Sequence, residues 1–433
     1  MLYQEFLDHI FQKYSANVKL ELTRMQNLLE AMGNPQNSLR GLHIAGTNGK
    51  GSVCATLEAL ALAHNLTVGL NTSPHLINYT ERFRINGKDL PFETILDIYL
   101  RYENLFEKYE ASFFEITTAI AFQAFKEAKL NTVIIEVGLG GRLDATNLFT
   151  PDITAITTIG LDHIKTLGGT LEQIATEKAG IIKENVPLVL GNIAESPLNI
   201  IIEKAEKLNA PVYLPQKDYF YQLNQIDLNG VQFDYSFGPY TFQNLNTNLL
   251  GEHQAANVAQ ALTAFILYSE KRGFSISPPK IYSALQNIHW QGRMQVLSSS
   301  PIIIADGAHN VHGVQALISS LHNLFPGRKF RFLVSILADK NYKEMLALIC
   351  ANAEKIYIAQ NESDRAATVE MQSAEISKYE IPYETASTVP EAFIKAINEL
   401  SKNDILICCG SLYTVGEILN YYQQSDNFIK QAG

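Results

Sequence analysis

His43-Ile-Ala-Gly-Thr-Asn-Gly-Lys-Gly-Ser52 is the stretch on which the reading of this chain turns. Residues 42–45 have the character of the end of a buried strand and residues 53–64 (VCATLEALALAH) that of an amphipathic helix, so Gly46, Gly49 and Gly51 fall in the turn between them. A glycine-rich turn that closes on a lysine and a hydroxyl is built to hold a nucleotide's phosphates. Backbone N–H groups from Gly46, Thr47, Asn48 and Gly49 onward converge on the anionic oxygens, and the helix start adds partial positive charge. Lys50 is then set to bridge the β- and γ-phosphates, and the Ser52 hydroxyl to bind Mg²⁺. The strict pattern G-x-x-x-x-G-K-[ST] is not met, because Ile44 stands where its first Gly belongs and Gly51 separates Lys50 from Ser52. Taken alone, the loop has a competing reading as an ordinary glycine-rich strand-to-helix turn; the ligand it points to is ATP.

Outward from this loop, apolar runs of strand length alternate with helix-length amphipathic segments. Residues 132–137, 153–159 and 187–190 read as strands with helices between them, the signature of a parallel α/β sheet. Between residues 219 and 242 the pattern changes to short alternating runs broken by Leu228-Asn-Gly230 and Gly238-Pro239, which predicts a small antiparallel sheet. Helical spacing returns at 253–268, and a new cycle begins at 301–305 after His289-Trp-Gln-Gly-Arg293. Strands are then expected at 330–336, 355–359 and 404–409, with helices at 311–324, 342–351, 390–400 and 415–422. The expected architecture is an N-terminal domain of residues 1–295, α/β with a parallel sheet and the phosphate loop, followed by a smaller, Rossmann-like α/β domain of residues 296–433.

Composition agrees with two folded domains and narrows the partners. A chain of 433 residues exceeds what one hydrophobic core supports, and 46% hydrophobic with 18% charged residues excludes a disordered chain. A formal net charge of −10 provides no field to draw in nucleic acid, so an anionic substrate must be met by locally placed cations. The opening MLYQEFLDHIFQKYS lacks the basic region and apolar run of a secretion signal, and no stretch approaches the ~20 apolar residues of a membrane span. Cys54, Cys350, Cys408 and Cys409 have no metal-ligand or C-x-x-C spacing and read as buried apolar thiols. A cytoplasmic monomer with no membrane partner is the expectation.

Further along, Thr132-Val-Ile-Ile-Glu136 is an apolar strand that delivers one carboxylate at its C-terminal end, where ligands collect in open α/β sheets. The Val137-Gly-Leu-Gly-Gly141 that follows lacks the third Gly of a dinucleotide fingerprint, because Leu143 holds that place. The next strand ends in Gly160-Leu-Asp-His163, where His163 is either a structural histidine or a metal ligand in register with Glu136. Lys178, in Ala175-Thr-Glu-Lys-Ala-Gly180, is either a solvated lysine complementing a helix dipole or a desolvated amine able to add CO₂ and become an anion that serves a metal.

The chain resembles the folylpolyglutamate synthase and dihydrofolate synthase family of the ATP-dependent Mur ligase superfamily, and the likeness spans nearly all of it. It is carried by Ala45-Gly-Thr-Asn-Gly-Lys-Gly-Ser52, Thr72-Ser-Pro-His-Leu76, Glu81-Arg-Phe-Arg-Ile-Asn-Gly87, Phe113-Phe-Glu115, Glu136-Val-Gly-Leu-Gly-Gly-Arg-Leu-Asp-Ala-Thr-Asn147, Leu161-Asp-His163, Glu177-Lys-Ala-Gly180, Gly251-x-His253-Gln254 with Asn257, Gly292-Arg293, and Asp306-Gly-Ala-His-Asn310. Ten short motifs in one order are far more specific than any one of them. Gln291 stands where Pro usually precedes the Gly-Arg pair, and Phe83 replaces a more usual aliphatic residue.

The resemblance implies a ligase that adds L-glutamate to a folate or to dihydropteroate through an acyl phosphate, releasing ADP and phosphate. It implies phosphate contacts from Gly49, Lys50 and Gly51, a first Mg²⁺ on Ser52 and Glu136, a second on Ser73, Glu136 and His163, and a carbamylated Lys178. Asn257 and Arg293 would contact ATP, together with Asp306 and His309 of the C-terminal domain. Arg82 would lie near a substrate carboxylate or glutamate tail, while Phe114 and the loop from Asp144 would offer surfaces to a flat pterin. Another Mur-type amide ligase, acting on a cell-wall precursor or of the cyanophycin type, is the alternative. A phosphate-loop switch without ligase activity is the competing reading from another class.

Overall fold

The computed structural model of the protein describes residues 1–14 and 21–431. The chain divides into two compact units, the first made of Met1–Gln222, Phe233–Asn246 and Ala255–His289, the second of Leu223–Gln232, Thr247–Gln254 and Trp290–Gly433.

The first unit is built on an eight-stranded sheet of β1 (Gly41–Ala45), β2 (Val68–Asn71), β3 (Phe83–Ile85), β4 (Lys88–Asp89), β5 (Thr132–Glu136), β6 (Ile153–Ile156), β7 (Leu188–Leu190) and β8 (Val212–Tyr213), in the order β4-β3-β2-β5-β1-β6-β7-β8. All pairings from β2 to β8 are parallel, and β3 and β4 add an antiparallel edge. β1, β5 and β6 are buried along their whole length, which is why they read as continuous rather than alternating apolar runs. The helix Lys50–Ala63 starts three residues before the expected 53–64, directly after Gly49 in the left-handed conformation. It is also not amphipathic: Val53, Cys54, Ala55, Thr56, Leu57, Glu58, Leu60 and Ala61 are all buried, because the helix runs through the interior of the unit. β6 ends at Ile156 instead of 159, since Thr157 and Thr158 leave the ladder to bind the loop after β1.

A second apolar cluster in this unit surrounds Phe6, Tyr79, Phe83, Tyr99, Phe106 and Phe122, joining the N-terminal helix Tyr3–Tyr14 to the helices Phe92–Lys108 and Phe113–Glu127. A small antiparallel sheet, β9 (Tyr219–Asp227), β10 (Gly230–Phe237) and β11 (Tyr240–Thr247), has the order β11-β10-β9 and turns at the two predicted breaks.

The second unit carries a six-stranded sheet of β12 (Gln295–Ser299), β13 (Ile302–Ala305), β14 (Phe330–Val334), β15 (Ala353–Ile358), β16 (Tyr383–Thr385) and β17 (Ile405–Cys409), in the order β12-β13-β17-β14-β15-β16. Only β12 is antiparallel to its neighbour. β12 and β16 were not expected: both lie at sheet edges, where exposed or half-buried residues dilute the apolar pattern that reveals inner strands. The helix Leu412–Gln431 runs past the expected 415–422 because neither Gly nor Pro falls between Gly416 and Gln431 to stop it. All four cysteines are buried and unpaired. Among the described residues, no helix is long and apolar enough to cross a membrane.

Candidate active site

Strand register gathers the first group of residues. Ile44 of β1 pairs with Glu136 of β5, and Ala45 with Ile156 of β6, so the loop after β1 emerges between the ends of both neighbours. Thr47 N–H donates to Thr158 O at 2.8 Å, Asn48 N–H to Thr158 Oγ1 at 3.1 Å, and Thr157 Oγ1 to Asn48 O at 2.6 Å. Two of its positions admit only glycine. A Cβ at Gly46 (φ 150°) would lie 1.8 Å from Thr157 Oγ1, and one at Gly49 (φ 87°) would lie 2.6 Å from Asn257 Oδ1. The N–H groups of Lys50, Gly51 and Ser52 open the following helix and have no intrahelical acceptor, which leaves a rigid, electropositive loop suited to phosphate.

Three charged side chains meet this loop. Lys50 Nζ donates to Gly46 O at 3.1 Å and Thr47 O at 3.3 Å and lies 3.9 Å from Glu136 Oε1. Glu136 is buried, and its Oε2 accepts the Ser73 N–H at 3.2 Å. Lys178 ends the helix Leu171–Lys178, is 5% exposed, and donates from Nζ to Gly46 O at 2.8 Å. Burial, and then repulsion by Lys50, pull its ammonium down to about 7, with Asp162 and Asp144 opposing. The solvated-lysine alternative is therefore overturned: this amine is desolvated beside the phosphate loop and substantially neutral near pH 7. Ser52 is buried in the first helical turn. His163 sits at φ 51° on the loop after β6 with its side chain 42% exposed, its Nε2 3.9 Å from Asp162 Oδ1. Among the described residues, no three His, Cys, Asp or Glu side chains are grouped as metal ligands. A buried carboxylate that meets the Ser73 backbone, with Ser52 in the helical turn that follows the adjoining strand, offers oxygen donors of the kind that suit Mg²⁺, which takes few protein ligands and leaves places for water and phosphate.

On the other side of Ser73, Arg82 Nε donates to His75 Nδ1 at 2.8 Å, and its guanidinium lies over the rings of Phe113 and Tyr79, 5.3 and 5.9 Å from their centres. Burial and the Arg82 charge hold the His75 imidazole down at about 3, so it is neutral. Glu81 accepts three successive N–H groups, from Leu76, Ile77 and Asn78, and so folds the loop onto itself. The half-buried Phe114 covers Gly138, where a Cβ would come within 2.3 Å of its ring. Asp144 faces inward. Its carboxylate accepts from Leu139 N–H at 2.8 Å, from Thr146 N–H at 3.0 Å and from the Thr146 hydroxyl, and caps the short helix Ala145–Leu148. It shapes the loop after β5. His43 completes this buried group, its Nε2 2.9 Å from Thr146 Oγ1, and burial first, then the Lys183 charge, keep it neutral, with a pKa of about 3.

In the second unit, Asp306 accepts the N–H groups of Met294 and Ala308, both at 2.8 Å, which locks the start of β12 to the end of β13. Arg293 Nη1 donates to Gly307 O at 3.4 Å, and His309 Nδ1 lies 2.9 Å from the same carbonyl. Asn257, in the first unit, rests against Gly49.

Residues 44–265 match the Mur ligase middle domain and residues 292–412 the Mur ligase glutamate ligase domain. The dihydrofolate synthase/folylpolyglutamate synthase of Bacillus subtilis (strain 168) is 34% identical over 427 residues, 96% of this chain and 98% of that protein. The chain belongs to the folylpolyglutamate synthase/dihydrofolate synthase family of Mur ligases. Among solved structures it is similar to Mycobacterium tuberculosis folylpolyglutamate synthase complexed with ADP, with a TM-score of 0.91 at 28% identity over 97% of this chain and 98% of that one. It is also similar to the bifunctional folylpolyglutamate synthase/dihydrofolate synthase of Yersinia pestis complexed with AMPPNP and Mn ion, with a TM-score of 0.86 at 33% identity over 97% of this chain and 98% of that one. In this family member, sequence reasoning missed Thr157 and Thr158, and it included His75 in the motif of residues 72–76 without giving it a partner. The two threonines carried a readable signal, a pair of hydroxyls directly after an apolar strand. His75 was visible as part of that motif, but its pairing with Arg82 is identified only by the fold.

Proposed function

We propose that this chain is an ATP-dependent ligase that joins L-glutamate to the carboxylate of a folate, and of dihydropteroate, through an acyl phosphate. The observation that carries the reading is Lys50, anchored on the carbonyls of a glycine-rich phosphate loop 3.9 Å from the strand-end carboxylate of Glu136. Residues 1–295 supply the ATP-binding part and residues 296–433 the glutamate-ligase part, in a cytoplasmic monomer.

ATP lies with its phosphates on the N–H groups of residues 46–52, and Lys50 neutralises charge between the β- and γ-phosphates. Asn257, Arg293, Asp306 and His309 serve the nucleotide. Glu136 and Ser52 would hold one Mg²⁺, and Glu136, Ser73 and His163 a second; bound there, the ions offset the charge of the reacting anions. The acceptor carboxylate attacks the γ-phosphorus, the bond to the β-phosphate oxygen breaks, and ADP leaves. The neutral amine of glutamate then adds to the acyl carbon, loses its extra proton, and the tetrahedral intermediate expels phosphate to leave an amide. Lys178 acts as a carbamate formed from CO₂ on its neutral amine, which the low pKa of this buried group supports. Arg82 receives a carboxylate of the acceptor and Phe114 packs against its rings, while Asp144 orders the loop beside them.

The test is ligation with ¹⁸O-labelled acceptor carboxylate. One label should appear in the released phosphate, with ADP formed only when acceptor and glutamate are both present. Unlabelled phosphate excludes the acyl phosphate, and ADP release indifferent to glutamate excludes the ligase.

A further inference from the structure

The segment Ser73-Pro-His75 is fastened at both ends to groups of the proposed site. The Ser73 N–H donates to Glu136 Oε2 at 3.2 Å, and His75 Nδ1 accepts from Arg82 Nε at 2.8 Å. Two residues of chain span at most ~7 Å, so this tie leaves little play between Arg82 and the strand-end carboxylate. The Arg82 backbone is held to the same place, its carbonyl accepting from Asn71 Nδ2 at 2.8 Å and from Thr72 N–H at 3.4 Å.

We propose that His75 is the positioning residue for Arg82, fixing the plane of its guanidinium so that the terminal nitrogens meet a carboxylate of the acceptor substrate. The inference rests on the reading of Arg82 given above. A guanidinium is a planar fork whose usefulness toward a carboxylate depends on orientation, and an arginine reaches that orientation only after several free torsions have been set. Here the bond at Nε sets the last of them, and the rings of Phe113 and Tyr79, over which the guanidinium lies, limit where it can move. His75 must accept at Nδ1, so its proton sits on Nε2, and the edge-on contact with Tyr79, centres 6.0 Å apart, keeps the imidazole in that pose. Ordering before binding lowers the cost of capturing the acceptor and leaves ATP and the chemical step alone.

Steady-state kinetics of the full chain, with dihydropteroate and with tetrahydrofolate, tests this. His75→Phe keeps a ring and removes the acceptor atom; the KM for acceptor should rise roughly tenfold, with kcat and the KM for ATP within about twofold. His75→Asn puts an amide oxygen near the place of Nδ1 and should return the acceptor KM to within about threefold of the parent. Adding His75→Phe to Arg82→Ala should change the acceptor KM no further, since the residues act as one unit. A rise with both acceptors marks the reacting carboxylate, and a rise with tetrahydrofolate alone marks the carboxylate of its glutamate tail; either supports the proposal. If Arg82→Ala raises the acceptor KM and His75→Phe does not, the proposal is overturned and the reading of Arg82 stands. If Arg82→Ala leaves that KM unchanged, the underlying reading fails first. Equal damage by Phe and Asn to both KM values, with a lowered Tm, reduces His75 to a structural role and overturns the proposal.

Discussion

At the scale of single residues, the site concentrates charge in a small desolvated volume, with consequences for Lys50 and Lys178. On the proposed mechanism Lys50→Ala removes the cation that serves the transferred phosphoryl group, and its hydrogen bonds to the protein are to loop carbonyls. Turnover should fall by roughly 10²–10³ or more, while the thermal midpoint stays near that of the parent; a variant with more than about a tenth of parental activity would remove Lys50 from the mechanism. Lys178 titrates near 7 in the folded chain against its usual 10.5, so between those values the unfolded chain binds the extra proton. Its contribution to stability therefore grows as pH rises through that window, and below it the full penalty of a buried charge remains. In CO₂-free buffer, Lys178→Met should melt above the parent at pH 6, with the gap closing as the pH approaches 10. The same variant should be inactive, and Lys178→Ala partly rescued by a small carboxylate in solution; an active enzyme whose structure holds the bare amine rules out the carbamate.

At the scale of elements, loops and helix ends hold the chemistry because buried polar contacts leave them few alternatives. The left-handed Gly49 lets the helix Lys50–Ala63 begin where its N–H groups are needed, with Asn257 filling the space a Cβ would take. Gly49→Ala should raise the KM for ATP by roughly tenfold or more, since a φ of 87° is strained for alanine, the loop shifts to relieve it, and N–H geometry tolerates little displacement; an unchanged KM would mean the loop does not bind the phosphates. The helix Phe113–Glu127, which presents Phe113 and Phe114, is held at its start by Glu115, which accepts from Ser112 and from Arg24 Nη2 at 2.6 Å. Both partners of that ion pair are buried, with side chains 7% exposed. Glu115→Ala leaves a guanidinium in the interior and should cost about 3–5 kcal/mol in urea denaturation.

At the scale of the whole molecule, each unit has its own sheet and apolar core, and the phosphate loop, Glu136 and Lys178 all belong to the first. Among the described residues, the glycine-rich loop after β1 meets the carboxylate at the end of β5, Glu136, and on the proposed reading two ligations would share this pair. Lys50→Ala and Glu136→Ala should depress ligation to dihydropteroate and to tetrahydrofolate in parallel, measured side by side with saturating glutamate. A variant that loses one activity and keeps the other would require a second site.

The sequence by itself determined what depends on neighbours along the chain: the α/β class from alternating strand and helix runs, the phosphate loop from glycines spaced before a lysine, and Glu136 from its place at the end of an apolar run. These were legible because backbone conformation and periodicity are local properties. Edge strands such as β12 and β16 escaped, having too little buried surface to leave a pattern. Only the tertiary structure decided what depends on residues far apart in sequence. Lys178 Nζ meets the carbonyl of Gly46 across 132 positions, and that encounter, by removing water from the amine, separates a surface lysine from one able to be neutral. Asp144 looked available to a substrate until folding turned its carboxylate onto the amides of Leu139 and Thr146. His75 acquired a role only when β2 and β3 paired and brought Arg82 beside it. Burial and orientation, which set charge and hydrogen bonding in this site, come from the packing of elements and are absent from any one of them.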